Sequence, residues 1–213
     1  MRYPNEQDPW GLPEESLAYL RFFHALPTDP EIPVDIYVNQ KMVAEGLRYQ
    51  DFTHYLPARP GYYTIQVFEK GTTGTPLVSV ALPLQAEEVV TAAVVGTPEN
   101  IGIQALSDFP KETEENRAAL RFSNLSQTPV SIYLDNRPVV YDLAFGELTD
   151  FLSFAPGRHT LVVKDAATNR TLITHPSLQL KKEDFYTAFV IGKTNGRPGP
   201  EVVVALEGIS YLD

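Results

Sequence analysis

The sequence predicts an all-β protein built from two similar sandwich units in tandem. Three observations predict it: segments of the two halves of the chain match each other, apolar and polar residues alternate within the matching segments, and turn residues separate them. The 213 residues include 18 prolines and 13 glycines. Residues of these two types interrupt helices and mark turns, so short strands are favoured over long helices.

The tandem repeat is visible at a nearly constant spacing. Leu20-Arg21-Phe22 matches Leu120-Arg121-Phe122. The other matches pair residues 34–39 with 130–135, 49–53 with 145–149, 60–61 with 156–157, and 91–96 with 187–192. Repeats of this kind indicate duplicated structural units. We therefore divide the chain into an N-terminal tail (1–16), a first sandwich (17–107), a linker (108–117) and a second sandwich (118–213).

The matching segments have the pattern of strands. Val34, Ile36 and Val38 alternate with polar or aromatic residues, which is typical of a half-buried strand. Residues 89–95 and 185–191 are apolar on both faces, which predicts central positions in a sheet. Pro-Gly pairs at 60–61 and 156–157 suit a type II turn. About seven or eight short strands per repeat predict two tandem immunoglobulin-like antiparallel β-sandwich domains.

Composition and charge exclude several classes of function. The chain has 17 basic and 27 acidic residues, a net charge of −10, and no cysteine. An acidic chain repels phosphate backbones, so we expect no nucleic acid partner. Without cysteine there is no disulfide, thiol nucleophile or zinc–thiolate site. No apolar stretch reaches the roughly 20 residues of a membrane helix, so we expect no membrane insertion. No signal peptide is recognisable in residues 1–16, which predicts a cytoplasmic protein or one attached to a spore or envelope without a leader.

Four segments of the first repeat resemble the bacterial domain of unknown function 4397 (DUF4397). They are residues 24–30, which begin His24-Ala25-Leu26-Pro27, and residues 34–39, 49–53 and 60–65. The second repeat resembles the family through 130–135, 145–149 and 156–161, and departs from it at 122–126. The resemblance implies a shared fold but no activity, because the family has none established. Its members are often cell-surface or envelope proteins, which implies a place at the bacterial envelope or spore surface.

Two matching polar residues are predicted to lie in the cores. Alternation from Phe22 points His24 inward at the end of the first strand, and Asn124 occupies the matching position in the second repeat. Buried polar groups need hydrogen bonds, so we expect both side chains to fasten the loops that follow them. A ligand-binding or catalytic role for His24 is the alternative. We predict no catalytic residue, cofactor or metal ligand, and leave open a weak calcium site near Asp29 and Asp35.

Three aromatic residues are candidate interface residues: Trp10, Tyr37 and Tyr133. Tyr37 and Tyr133 occupy matching positions and should face away from their own sandwich cores. Trp10 is the only tryptophan, and we predict that it docks between the two sandwiches or on a second chain. Aromatic rings at a surface can anchor a protein interface or stack on a sugar.

These observations leave three classes of function. The first is a non-enzymatic structural or protein-interaction protein with a protein partner or a homo-oligomer. The alternative is a carbohydrate or cell-wall binding module that holds a glycan on surface aromatics. The third is an enzyme such as a hydrolase, which needs convergent carboxylates or a His–Asp pair in a cleft. We expect the first class and no enzymatic activity. The pattern alone does not determine the oligomeric state or the packing between the two sandwiches.

Overall fold

The computed structural model describes residues 17–108, 112, 114–210 and 212. These residues form sixteen strands, eight in each half of the chain. The strands of the first half are β1 (Ala18–His24), β2 (Val34–Val38), β3 (Lys41–Leu47), β4 (Leu56–Ala58), β5 (Gly61–Glu69), β6 (Val78–Leu84), β7 (Val89–Thr97) and β8 (Asn100–Asp108). Those of the second half are β9 (Ala118–Asn124), β10 (Val130–Leu134), β11 (Arg137–Leu143), β12 (Leu152–Phe154), β13 (Gly157–Asp165), β14 (Thr171–Leu180), β15 (Phe185–Ile191) and β16 (Glu201–Leu206).

Each half pairs its strands into two four-stranded sheets with the same order. The first half has sheets β4-β1-β7-β8 and β3-β2-β5-β6, and the second has β12-β9-β15-β16 and β11-β10-β13-β14. Neighbouring strands are antiparallel except for the parallel pairs β1–β7 and β9–β15. The prediction of an all-β chain with two tandem sandwiches is confirmed. The strand order is compatible with an immunoglobulin-like sandwich, whose finer connectivity stays a prediction.

Each sandwich has its own apolar core between its two sheets. Alternation places every second side chain of a strand on the inner face, where it meets side chains of the opposite sheet. The largest of these side chains are almost fully buried, and each contributes about 1.5–3 kcal/mol relative to exposure. They include Leu20, Phe22, Ile36 and Ile65 in the first half and Leu120, Phe122, Ile132 and Leu161 in the second.

A third buried cluster lies between the two halves. It joins residues of β1, β7 and β8 to residues of β15 and β16. The rings of Phe23 and Phe189 meet there, with centroids 5.0 Å apart. β7 and β15 are inner strands, as predicted, because one face of each contacts its own core and the other face contacts this cluster. The two inner strands of one sheet of each sandwich are therefore buried on both faces, and the other sheet is the outer one.

The Pro-Gly pairs at residues 60–61 and 156–157 do not form the predicted type II turns. Gly61 and Gly157 have φ of 156° and 131°, far from the roughly +80° of a type II turn, so that turn type is wrong and the two glycines begin β5 and β13. The tail, with Trp10, lies outside the described residues. The boundaries of the tail, sandwiches and linker stay a prediction.

The end of the linker contacts the second sandwich. Arg117 donates from Nη2 to the carbonyl of Ser153 in β12 at 2.9 Å, and Ser153 Oγ donates to Glu114 Oε2 at 2.9 Å. The part of the chain that the structure describes contains no helix long and apolar enough to cross a membrane. Its helical content is a short 3-10 turn at Gly208–Ser210, directly after the last strand.

Candidate functional site

His24 lies at the end of β1, and its side chain is fully buried. Its Nε2 is 2.9 Å from the carbonyl oxygen of Ile32, and the backbone N of Leu26 is 3.4 Å from its Nδ1. This geometry suits a neutral imidazole that donates from Nε2 and accepts at Nδ1. Burial lowers the pKa of His24, since loss of hydration outweighs the opposing effects of the Ile32 carbonyl and of Glu31 and Asp51. The neutral side chain thus fastens the loop after β1.

Asn124 occupies the matching place at the end of β9 and is also fully buried. Its Nδ2 donates to the carbonyls of Thr128 and Leu143 at 2.9 and 2.8 Å. Its Oδ1 accepts hydrogen bonds from the backbone N and the Oγ of Ser126 at 3.0 and 2.7 Å. These four bonds use the capacity of the amide within the second sandwich. His24 and Asn124 therefore stabilise equivalent loops, the one after β1 and the one after β9, although the two side chains differ.

A His–Asp pair is present in the second sandwich, but its geometry is structural. Asp135 Oδ2 lies 2.7 Å from Nδ1 of His159, whose Nε2 lies 2.8 Å from the carbonyl oxygen of Ala155. The backbone N of Thr160 also donates to Asp135. This hydrogen bond is the larger cause of the lowered pKa of the Asp135 carboxyl, and the contact with His159 is the second. Tyr63, at the position that matches His159, donates to the carbonyl of Arg59 in the same way. The pair therefore closes a turn that both repeats contain.

A buried ionic cluster that was not predicted from the sequence lies between the two halves. Arg21 donates from Nη2 to Glu207 Oε2 at 3.1 Å and from Nη1 to the carbonyl of Leu206 at 3.0 Å. Arg121 Nη2 lies 3.9 Å from Glu207 Oε1, and the Tyr55 hydroxyl donates to Oε2 at 3.1 Å. The side chains of Arg21, Arg121 and Glu207 are 6%, 4% and 3% exposed. Glu207 thus serves two buried guanidinium groups, one from each half.

The two arginines are repeated, but the carboxylate is not. Arg21 donates from Nε to Thr91 Oγ1 at 2.9 Å, and Arg121 donates to Thr187 Oγ1 at 2.8 Å. The residue of the first half that matches the carboxylate is Ser107, so the centre of the interface is asymmetric. A charged residue repeated within an apolar strand was the signal in the sequence that could have indicated this cluster.

Tyr37 and Tyr133 lie on β2 and β10, in the outer sheets of the two sandwiches. Both are half-buried. The ring of Tyr37 stands edge-on to Phe68 at 5.3 Å, and Lys164 Nζ lies 4.6 Å from the centre of the Tyr133 ring. The structure does not bring the two tyrosines together, because they belong to different sheets. A shallow groove of about 200 Å³ adjoins Tyr37.

The two carboxylates near which a weak calcium site was left open, Asp29 and Asp35, do not belong to a group of metal-ligating side chains within the described residues. Asp29 is exposed, whereas Asp35 is buried. Its Oδ1 and Oδ2 accept hydrogen bonds from the backbone N of Gly46 and Gly71 at 2.7 and 2.8 Å. Within the described ranges, no three His, Asp or Glu side chains are placed to hold a metal ion.

Comparison with known families decides what this duplicated sandwich is. A family model described as a domain of unknown function (DUF4397) matches residues 18–130 and, a second time, residues 127–207. The chain belongs to this family. The two DUF4397 matches overlap at residues 127–130, just before and at the start of β10, and together they cover almost all of both sandwiches. No curated protein matches the chain. Membership in DUF4397 establishes the tandem pair and names no activity.

Proposed function

We propose that the protein is a non-enzymatic structural or protein-interaction protein in which two DUF4397 sandwiches act as one rigid unit. The observation that carries this proposal is the buried contact between the halves, where Phe23 packs on Phe189 and Arg21 pairs with Glu207. Domains of one chain move relative to each other unless their interface is large and apolar. The cluster between the sandwiches supports a fixed arrangement that holds the two outer sheets at a constant separation.

The hydrogen bonds of the side chains best suited to acid–base chemistry support a non-enzymatic role. The Nε2 atoms of His24 and His159 lie within hydrogen-bond distance of backbone carbonyls, and Asp135 accepts from a backbone N–H as well as facing His159. A general base needs a lone pair that faces a substrate. The polar atoms of His24, His159 and Asp135 instead make hydrogen bonds that stabilise turns and loops, as expected for a structural role.

The outer sheets supply surfaces for a protein partner. Tyr62 on β5 is 82% exposed and Tyr141 on β11 is 69% exposed. The matching positions hold Arg158 and Glu45, so the two outer sheets present different surfaces. Large exposed tyrosines are preferred anchors of protein interfaces. We propose that a protein partner or a second copy contacts these faces; a place at the bacterial envelope or spore surface belongs to the same proposal and rests on the family resemblance.

The test is site-specific photo-crosslinking of the intact chain in its own cells. A benzophenone amino acid replaces Tyr62, Tyr141 or, as a control, the exposed Lys182, which lies in the turn between β14 and β15. We expect a discrete crosslinked protein at position 62 or 141 and none at 182. The proposal is contradicted if no crosslinked protein forms at position 62 or 141. It is also contradicted if the same crosslinked proteins form at positions 62, 141 and 182.

A further inference from the structure

The groove beside Tyr37 is a concave site on the outer sheet of the first sandwich. The half-buried Tyr37 supplies most of the aromatic surface, because the adjoining Phe68 is only 9% exposed. Gln66 lies beside Tyr37 in the strand register, and Gln40 and residues 72–74 complete the lining. The groove therefore combines two aromatic rings with amide and hydroxyl groups. Its floor is a sheet, which holds these side chains on a rigid support.

In the matching place of the second sandwich, a lysine lies over the tyrosine ring. Lys164 stands where the first half has Phe68, and its Nζ lies 4.6 Å from the centre of the Tyr133 ring. Val162 stands where the first half has Gln66. The tyrosine is repeated in both halves, but the residues beside it differ: Phe68 and an amide in the first half, Lys164 and Val162 in the second. The two repeats therefore present different chemistry around the same tyrosine.

The lining of the groove selects a class of ligand. It contains no carboxylate, ammonium or guanidinium group. Within the described residues, no hydrogen bond engages the side-chain amides of Gln40, which is exposed, and Gln66, which is half-buried. Amides and hydroxyls bond to sugar hydroxyls, and aromatic rings pack against the apolar face of a sugar ring. The net charge of −10 disfavours an anionic ligand.

We propose that the Tyr37–Phe68 groove binds a neutral saccharide. The sugar ring lies against Tyr37, and Gln66 and Gln40 bond to its hydroxyls. The volume of about 200 Å³ suits one sugar unit at the end or side of a longer chain. This binding is independent of the protein contacts proposed for the outer tyrosines, since Tyr62 and Tyr141 do not line the groove.

The experiment applies the full chain to an array of neutral glucose, mannose, galactose and N-acetylglucosamine oligosaccharides, with sulfated and sialylated glycans as the anionic arm. For each oligosaccharide that binds on the array, calorimetry measures the affinity of the wild type, of Tyr37→Ala and Gln66→Ala, and of the matched control Tyr133→Ala. We expect a neutral hit whose affinity falls at least about tenfold in the first two variants, a loss of about 1.4 kcal/mol, and is unchanged in Tyr133→Ala.

A fourth variant tests whether covering Tyr37 prevents binding. Phe68→Lys places in the first half the residue that the second half holds, and it should cover Tyr37 and abolish binding. Because Phe68 is buried, circular dichroism and a thermal melt of this variant must first show that it is folded. The proposal is overturned if no neutral oligosaccharide binds, if only anionic glycans bind, or if Tyr133→Ala weakens binding as much as Tyr37→Ala. Crosslinking at positions 62 and 141 is unaffected by any of these results, so the two proposals fail separately.

Discussion

Arg21 in the first strand donates a hydrogen bond to Glu207, just after the last strand, across 3.1 Å and 186 positions of sequence. The pair is buried and lies beside Arg121 of the second half. Removing charges from water is costly, and a buried ion pair is retained where its geometry specifies one arrangement. We interpret the cluster as the feature that sets how the two sandwiches are oriented, while the apolar contacts around it supply most of the stabilisation.

Glu207→Gln should destabilise the chain by about 3–5 kcal/mol, because it removes the carboxylate that Arg21 and Arg121 share in a buried place. Urea unfolding followed by circular dichroism measures the change. Glu69→Gln, at an exposed position, is the control and should change the unfolding free energy by less than about 0.5 kcal/mol. Equal effects of the two substitutions would show that the cluster does not stabilise the contact between the halves.

Phe23→Ala should weaken the contact between the sandwiches without opening either core. Phe23 stacks on Phe52 at 4.0 Å and packs on Phe189, so truncation costs about 3–5 kcal/mol. If each sandwich folds by itself, calorimetry of this variant should resolve two transitions. Phe22→Ala, at the adjacent inward position, should lower the stability of the first sandwich instead. A single unshifted transition for Phe23→Ala would contradict the prediction.

Acid should destabilise the first sandwich through His24. Burial lowers its folded-state pKa below the ordinary 6.5, so as the pH falls the unfolded chain binds the proton first. The contribution of the neutral imidazole is complete above pH 6.5 and is lost progressively below it. His24→Asn inserts the residue of the second half and removes this titration. The difference in unfolding free energy between wild type and variant should change as the pH falls below 6.5 and stay constant at higher pH. A difference that does not depend on pH below 6.5 would mean that His24 is accessible to water.

Asn124→Ala should cost about 1–3 kcal/mol, because the carbonyls of Thr128 and Leu143 and the backbone N of Ser126 lose their partner in a buried place. Thermal melts report the loss. The exposed Asn195→Ala is the control, and its midpoint should match that of the wild type. An unchanged midpoint for Asn124→Ala would show that water replaces the amide.

Much of the fold could be predicted because a strand has a period of two. Alternation around Phe22 and Ile36 assigns each side chain to one face of a strand, and the repeat transfers the assignment to Phe122 and Ile132. The same argument directed His24 and Asn124 inward. The turn type at Gly61 could not be predicted, because Pro-Gly is also compatible with a glycine that opens a strand.

Local patterns along the chain were enough to predict the strands, their duplication into two sandwiches and the inward direction of His24 and Asn124. Three features became visible once the sandwiches were packed: the second faces of β7 and β15 bury each other, Arg21 contacts Glu207, and Lys164 lies over Tyr133 whereas Tyr37 adjoins a groove. Alternation predicts the face on which a side chain lies, but it does not predict what packs against that face. Contacts between residues far apart in the chain depend on how two complete sandwiches pack, and no local pattern encodes that packing.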